Sequence, residues 1–493
     1  MPPVVMPYFP IVGHLPTALF QQMRSDGLAK DTIKWAKSNP QPICSMYIPG
    51  LAFVIVNDYE LMREFTTKRG DTFAGRPIQE FNEYLALASN YRGIVNTNDD
   101  RVPGGWCLAR TRSFWLRNFG FGKNLMEQRI QQQIERLLDI FSKEIASAAI
   151  TDASGKAKYA VMNLTLPIKF AVSSVIAQIA LGAEYDIDDQ NYIKLEQALS
   201  EQFESFSKPT LFCLMAAPAL RHVPLFGHFG YDILQRSTQV LKDYFKSEIE
   251  RNKREFVLGS EPSNLVEAYL AEIQQRTDET EATVFNEDQL LGVIGDLWAA
   301  GMETTANTLL WIFLFMVNYP EVHDKVAAEI QAACGSERRP TMLDTKEMPF
   351  TMATINEVQR IASVLPNAVG HTANMDTTLG GYDIPAGTAI LYNLMLLNYR
   401  PDIFPEPEQF RPERHLSDDG KSVKKFDELI PFGMGKRVCL GESMARAELF
   451  LIFTAVIQRF RLTVVPGEPM PSLKFRMKGT VCTEPYRVAI YNR

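Results

Sequence analysis

Two long apolar runs organise the hydropathy pattern of the chain. Between residues 290 and 317 most positions are apolar or small, and the run stops at Pro320. Asn286, with Gln289 three residues later, has the form of a capping box. One helix is therefore predicted across this stretch, roughly 45 Å long at about 1.5 Å per residue. The run is long enough to cross a membrane, but Asp296, Glu303 and Asn307 fall inside it, so it reads as a buried core helix. The second run, 440–460, predicts another long helix, and a shorter one covers 168–181. Helical periodicity dominates from about 126 to 319. Near Pro349 a further helix start is followed by Ile355, Val358 and Ile361 on one face. Strand signals are short and scattered. Residues 42–56 read as a hairpin around Pro49-Gly50, residues 382–391 as a second hairpin around Pro385-Ala386-Gly387, and 473–477 and 487–491 as the last strands. The pattern predicts a mainly α fold with small β-sheets at one side. It fills one large domain, 21–493, after a proline-rich opening segment, 1–20.

Composition narrows the function classes. A net charge of −7 and a pI near 5.6 leave no basic footprint for nucleic acid. The six cysteines stand singly, without CxxC or zinc-like spacing, which argues against a disulfide framework and for a reducing compartment.

One of those cysteines stands apart. Phe432-Gly433-Met434-Gly435-Lys436-Arg437-Val438-Cys439-Leu440-Gly441-Glu442 puts Cys439 at the end of a glycine-hinged loop and at the start of the 440–460 helix. A helix N-terminus favours the thiolate, the form that binds metal. The glycines allow close approach of a flat ligand. Phe432 is placed to shield the sulfur and Arg437 to pair with an anionic group. A lone cysteine is ordinarily a small buried apolar residue, but the spacing here resembles the cysteine-ligand loop of the cytochrome P450 family. Phe432, Gly435, Arg437, Cys439 and Gly441 fill every fixed position of that pattern.

The resemblance extends along most of the chain, and it implies the P450 fold around haem b with Cys439 as axial thiolate ligand. Ala300-Gly301-Met302-Glu303-Thr304-Thr305 resembles the family's oxygen-binding segment. On that basis Ala300 borders the cofactor, the Thr304 hydroxyl hydrogen-bonds dioxygen and Glu303 feeds protons. Independently of the family, Thr304 is placed to donate to the carbonyl of Ala300 and bend the helix. Glu357 and Arg360, three apart on one helical face, would alone suggest a weak surface pair. They resemble the family's Glu-x-x-Arg motif. Phe410-Arg411-Pro412-Glu413-Arg414-His415 resembles its Pro-Glu-Arg-Phe stretch, with His415 replacing the aromatic. Glu357, Arg360 and Arg414 are then a structural cluster on the proximal side of the haem. Trp106, Arg110 and His371 match positions that bind haem propionates, and Arg92 is a further candidate.

Substrate-facing segments implied by the family are 81–102, 202–229, 299–304, 364–369 and 479–481. Their low charge suits an apolar substrate. The expected activity is a monooxygenase acting on a lipophilic fatty acid, steroid or xenobiotic. Electrons would come from NADPH-cytochrome P450 reductase, since no flavin or NAD(P) fingerprint occurs. Lys421, Lys424, Lys425 and Lys436 are candidate contacts for that partner. Microsomal members carry a hydrophobic anchor just before such a proline-rich stretch. None opens this chain, and the cytoplasmic face of the endoplasmic reticulum membrane is the expected location, with the cytoplasm as the alternative. A haem-thiolate isomerase or peroxide rearrangase, and a non-catalytic haem- or lipid-binding protein, stand as alternatives. The Glu303-Thr304 pair disfavours the first of these.

Overall fold

The computed structural model of the protein describes residues 2–3, 41–48, 51–77, 93–95, 124–148, 150–151, 158–205, 208, 213, 218–223, 231–257, 259–275 and 285–493. Nine helices of more than ten residues occur among them. They are α1 (Asn124–Ser147), α2 (Thr165–Leu181), α3 (Gln190–Ser205), α4 (Asp232–Glu255), α5 (Leu265–Gln275), α6 (Glu287–Asn318), α7 (Pro320–Cys334), α8 (Pro349–Ala362) and α9 (Glu442–Arg459). The mainly α expectation holds.

The core forms around α6. Its 32 residues give about 48 Å of helix. Apolar residues lie on nearly all its sides, so it sits among other helices rather than on a surface. Every residue of α2 from 167 to 181 is also buried, and the two helices pack against each other. Gly301 makes the approach possible, because a Cβ there would lie 2.6 Å from Ile176 Cδ1. Helix α1 contributes one apolar face, with Ile130, Ile134, Leu137, Phe141 and Ile145 buried in the same core.

The predicted capping box of α6 is half realised. The Asn286 side chain accepts the Gln289 N–H at 2.9 Å. The Gln289 amide turns instead to Gly93, donating to its carbonyl at 2.8 Å and accepting its N–H at 3.2 Å. A distant backbone segment, 93–95, is thereby tied to the first turns of the core helix.

The main sheet has the order β1-β2-β7-β4, from Ile43–Ile48, Leu51–Val56, Ala389–Tyr392 and His371–Thr372. The first predicted hairpin is present as β1 and β2, antiparallel from Ile43↔Val56 to Ile48↔Leu51. The second is not. Strand β6 (Tyr382–Ile384) pairs with β5 (Thr377–Leu379), whereas β7 leaves for the main sheet and runs parallel to β2. The actual turn is Gly380-Gly381, both at positive φ, a glycine pair suited to a tight hairpin. Of the last strands, β9 (Phe475–Lys478) pairs with β10 (Thr480–Thr483), and β11 (Val488–Asn492) lies between β3 (Tyr159–Met162) and β8 (Phe460–Thr463). Of the opening segment, only Pro2 and Pro3 are among the described residues, and their carbonyls accept bonds from Ser45.

Candidate active site

The loop 432–441 is shaped by steric demands that only glycine meets. Gly433 and Gly435 sit at φ +71° and +76°. A Cβ on Gly435 would come within 1.9 Å of the Thr66 carbonyl, and one on Gly433 within 2.6 Å of the Tyr392 hydroxyl. Residues 435–437 make one 3-10 turn, and the Cys439 N–H donates to Phe432 O at 3.0 Å, closing the loop. Helix α9 begins at Glu442, with Gly441 as its N-cap, two residues later than the pattern of apolar positions predicted. Cys439 therefore precedes the helix. Gly441 has an ordinary φ of −88°, and a Cβ there would meet nothing within 4 Å. Its value is open space facing a cavity, not conformational freedom.

That cavity, about 280 Å³ in volume, lies between the loop and the middle of α6. Phe432, Cys439 and Gly441 line one wall; Ala300, Gly301 and Thr304 line the opposite one. Thr304 Oγ1 donates to Ala300 O at 2.7 Å, the predicted back-bond. The Phe432 ring is covered from outside by the Arg446 guanidinium, 4.7 Å from its centroid.

A basic cluster forms one edge. Arg437 donates to Ala74 O at 3.0 Å and Ile94 O at 3.2 Å. Arg76, which the sequence reading missed, is buried beside it and donates to Val95 O at 2.9 Å and Gly370 O at 2.8 Å. Burial, then the Arg437 charge, pushes the Arg76 pKa down to about 9. The only sequence signal was a lone arginine between a glycine and a proline. His371 is buried, and its Nδ1 lies 2.8 Å from Phe73 O, so Nδ1 carries the proton. Burial, then Arg76, pushes its pKa down to about 3. The Tyr392 ring, whose neighbours include Phe65 and His371, completes this edge.

Asp296 also lines the cavity. Its carboxylate accepts the N–H groups of Ile94 at 2.6 Å and Val95 at 2.8 Å. Burial raises its pKa to about 6, against the pull of those two N–H bonds and of Arg76. The segment 93–95 thus joins α6 to both arginines.

The matching family model, "Cytochrome P450", covers residues 3–490. The chain is 32% identical to rat cytochrome P450 2U1 over 92% of its length and 81% of that protein. It is 33% identical to rat cytochrome P450 2D4, with 99% and 92% covered. Drosophila melanogaster cytochrome P450 18a1 is 31% identical, with 89% and 79% covered. The chain belongs to the cytochrome P450 family. It is a haem-thiolate monooxygenase with the P450 fold.

The cavity of this P450 fits such a cofactor. Cys439 is the one cysteine lining it among the described residues. The bare face of Gly441 leaves room for a flat ring. The two guanidiniums at the edge suit a ligand with two carboxylates, and the one acid among the lining residues, Asp296, is directed to backbone N–H groups.

Glu303 stands behind the cavity wall. It is not among the lining residues but points back from α6 toward α2. There Lys169 Nζ lies 3.3 Å from its carboxylate, and Asn307 donates to it at 2.9 Å. Lys169 also donates to Glu196 and Ser200 of α3, each at 2.8 Å. Burial opposes the Lys169 charge, but Glu303 and Glu196 outweigh it and hold the pKa above its ordinary value. The result is a line of polar groups running from the acid beside Thr304 to the rim of α3, where Glu196 is partly exposed.

The proximal cluster assembles as the motifs suggested. Arg360 donates twice to the Glu357 carboxylate, at 2.8 and 2.9 Å, and Arg414 Nε donates at 2.9 Å. The Arg411 backbone N–H adds 3.0 Å. His415 Nε2 lies 2.8 Å from the second carboxylate oxygen, a partner the sequence reading noted only as a departure from the aromatic. Arg360 and Glu357 are completely buried; burial raises the Glu357 pKa, but Arg360, then His415, outweigh it and hold the carboxyl well below its ordinary value.

Trp106, Arg110 and Arg92 lie outside the described residues, as do most of 81–102 and 202–229. Of the other substrate-facing segments, 364–369 contributes Val364, Leu365, Ala368 and Val369 to the cavity, and 479–481 does not reach it. Lys436 pairs with Asp71, and Lys425 with Asp427 at 2.7 Å.

Proposed function

We propose that this P450 inserts oxygen into a lipophilic small molecule, with electrons delivered by an NADPH-dependent reductase and Cys439 as the iron ligand. The observation that carries the reading is the cavity itself. A thiol stands opposite a hydroxyl-bearing turn of α6, and the space between is walled by apolar side chains, among them Ile94, Ile176, Ile179, Leu297, Val364 and Leu365. An apolar wall with few polar groups selects an apolar ligand by burial. Fatty acids, steroids and xenobiotics share that chemistry. By the same family resemblance, the enzyme works at the cytoplasmic face of the endoplasmic reticulum membrane, where its lysine-bearing proximal face meets the reductase.

The residues divide the work. Bound haem supplies the oxygen-activating chemistry. Cys439 holds the iron, and Phe432 keeps water from the sulfur. Arg437, Arg76 and His371 take the haem carboxylates, together with Trp106 and Arg110. His371 donates to Phe73 through Nδ1 and needs a second proton to donate from Nε2, which a neighbouring carboxylate favours. Thr304 presents its hydroxyl oxygen to the cavity as an acceptor while its own proton goes to the Ala300 carbonyl. Glu303 supplies protons to that turn from behind, with Lys169 and Glu196 as its connection toward solvent.

Reconstitution with reductase and NADPH, followed by a screen of fatty acids, steroids and xenobiotics for oxygenated products, tests the reading. Thr304→Ala is expected to keep haem while diverting consumed NADPH from product to hydrogen peroxide. Unchanged product yield per NADPH in that variant would reject the role given to the hydroxyl.

A further inference from the structure

His415 has no role so far beyond proximity to Glu357. Its setting is unusual for an imidazole. It is completely buried, at 0% exposure. Nε2 faces the Glu357 carboxylate at 2.8 Å, while Nδ1 is buried without a hydrogen-bond partner among the described residues. Glu357 is held ionised with Arg360 bonded to both its oxygens and Arg414 to one, and can only accept. The proton of neutral His415 therefore sits on Nε2. A second proton would place an N–H at Nδ1 with nothing to receive it, and a charge beside Arg360 and Arg414.

The ring also touches the segment that leads into the ligand loop. Phe426 meets it edge-on, with centroids 5.4 Å apart, and Phe404 packs at 6.3 Å. From Phe426 the chain turns through Leu429 N–H→Phe426 O and Gly433 N–H→Ile430 O to Phe432, whose carbonyl holds the Cys439 N–H. His415 is thus a bridge from the buried carboxylate on α8 to the strand of chain that ends at the thiolate.

We propose that His415, as the neutral third side-chain partner of Glu357, is a positioning residue for the ligand loop. Its protonation loosens that loop, so that cofactor retention falls on mild acidification. The inference rests on the reading that the Glu357 cluster supports the proximal side of the haem site.

The charged and titratable groups around the ring are Glu357 and Arg360 from α8, its neighbour Arg414, and Lys424, whose backbone N–H bonds the His415 carbonyl. Phe404 and Phe426 carry no charge. Burial lowers the His415 pKa, Glu357 opposes the shift, and Arg360 and Arg414 reinforce it. The sign follows. In this window the unfolded or opened state binds the proton more tightly than the closed one, so stability rises with pH. The contribution is complete above the unfolded histidine pKa of about 6.5 and is lost as pH falls below it. Glu357, with a lowered pKa, contributes stability that is lost only at lower pH, below about 4.3. The two residues act in separate windows. Buried His371 and His323, also depressed, share the upper window and set a background that a His415 variant does not remove.

The test uses holoenzyme of wild type, His415→Gln and His415→Phe. Gln keeps a donor at the Nε2 position without titrating; Phe removes donor and titration together. The reduced CO spectrum at pH 7.5 first establishes thiolate-bound haem in each protein. Its absence from wild type would overturn the assignment of Cys439, a failure separate from this inference. Haem transfer to excess apo-globin is then timed at pH 7.5 and 5.5. One titrating histidine changes an opening equilibrium by up to about tenfold over this interval. The acceleration on acidification is expected to be several-fold smaller in His415→Gln than in wild type. An equal acceleration in both would overturn the proposal. Should His415→Phe fail to fold, the Gln variant alone decides.

Discussion

Glu357→Ala is expected to yield a chain that accumulates with little or no haem. The carboxylate accepts from Arg360, Arg414, His415 and the Arg411 backbone, all out of water. Deleting it leaves two guanidiniums facing each other in a buried site. Breaking a buried ion pair from one side costs about 3–5 kcal/mol, because the remaining charge is uncompensated. That is a large fraction of the ~5–15 kcal/mol that holds an ordinary domain together. The loss falls on the turn 412–415 and, through Phe426, on the ligand loop. Glu357→Gln is expected to be milder, since it keeps an acceptor for one guanidinium. Haem per chain, from the pyridine haemochrome absorbance over the protein concentration, measures the effect. Wild-type haem content in Glu357→Ala would show that the cluster does not support the site.

Lys169→Met is expected to cost a similar amount, about 3–5 kcal/mol. The ammonium is the one cation of α2, whose other residues from 167 to 181 are uncharged and buried. It lies between the carboxylates of Glu303 and Glu196. Without it, Glu303 keeps the Asn307 amide but loses its countercharge in a buried site, and it must take up a proton or draw in water. Lys169→Met/Glu303→Gln removes charge and countercharge together, and it is expected to recover most of the loss. Urea unfolding of the two single variants and the double variant measures the interaction. Additive effects would show that Lys169 and Glu303 are not a pair.

Much of the site was legible because its motifs demand particular residue types. Cys439, Arg437, Ala300 and Thr304 converge on one cavity, and Glu357, Arg360 and Arg414 meet around one carboxylate. The apolar run beginning at residue 290 became the core helix, because its acids are neutralised by neighbours rather than by solvent. What stayed hidden depends on long-range partners. Arg76 gains its place only when β4 and segment 93–95 close around it, and nothing within a few residues signals that. Glu303 adjoins Thr304 in the sequence, but at 100° per residue adjacent positions on a helix point to different neighbours, so its partners Lys169 and Asn307 were hidden. The failed hairpin at 382–391 had a plausible turn, Pro385-Ala386-Gly387. The pairing was decided by β2, far away in sequence, which took β7 into the main sheet. His415 looked like a mere departure from a pattern until its distance to Glu357 was known.

Cys439 as the thiolate ligand of the haem iron is the central proposal. Reducing the purified holoprotein under carbon monoxide tests this most directly. A strongly red-shifted Soret band, lost in Cys439→Ser, is the predicted result. A band at the position of imidazole-ligated haem proteins, from wild-type protein that is folded and haem-replete, would contradict it.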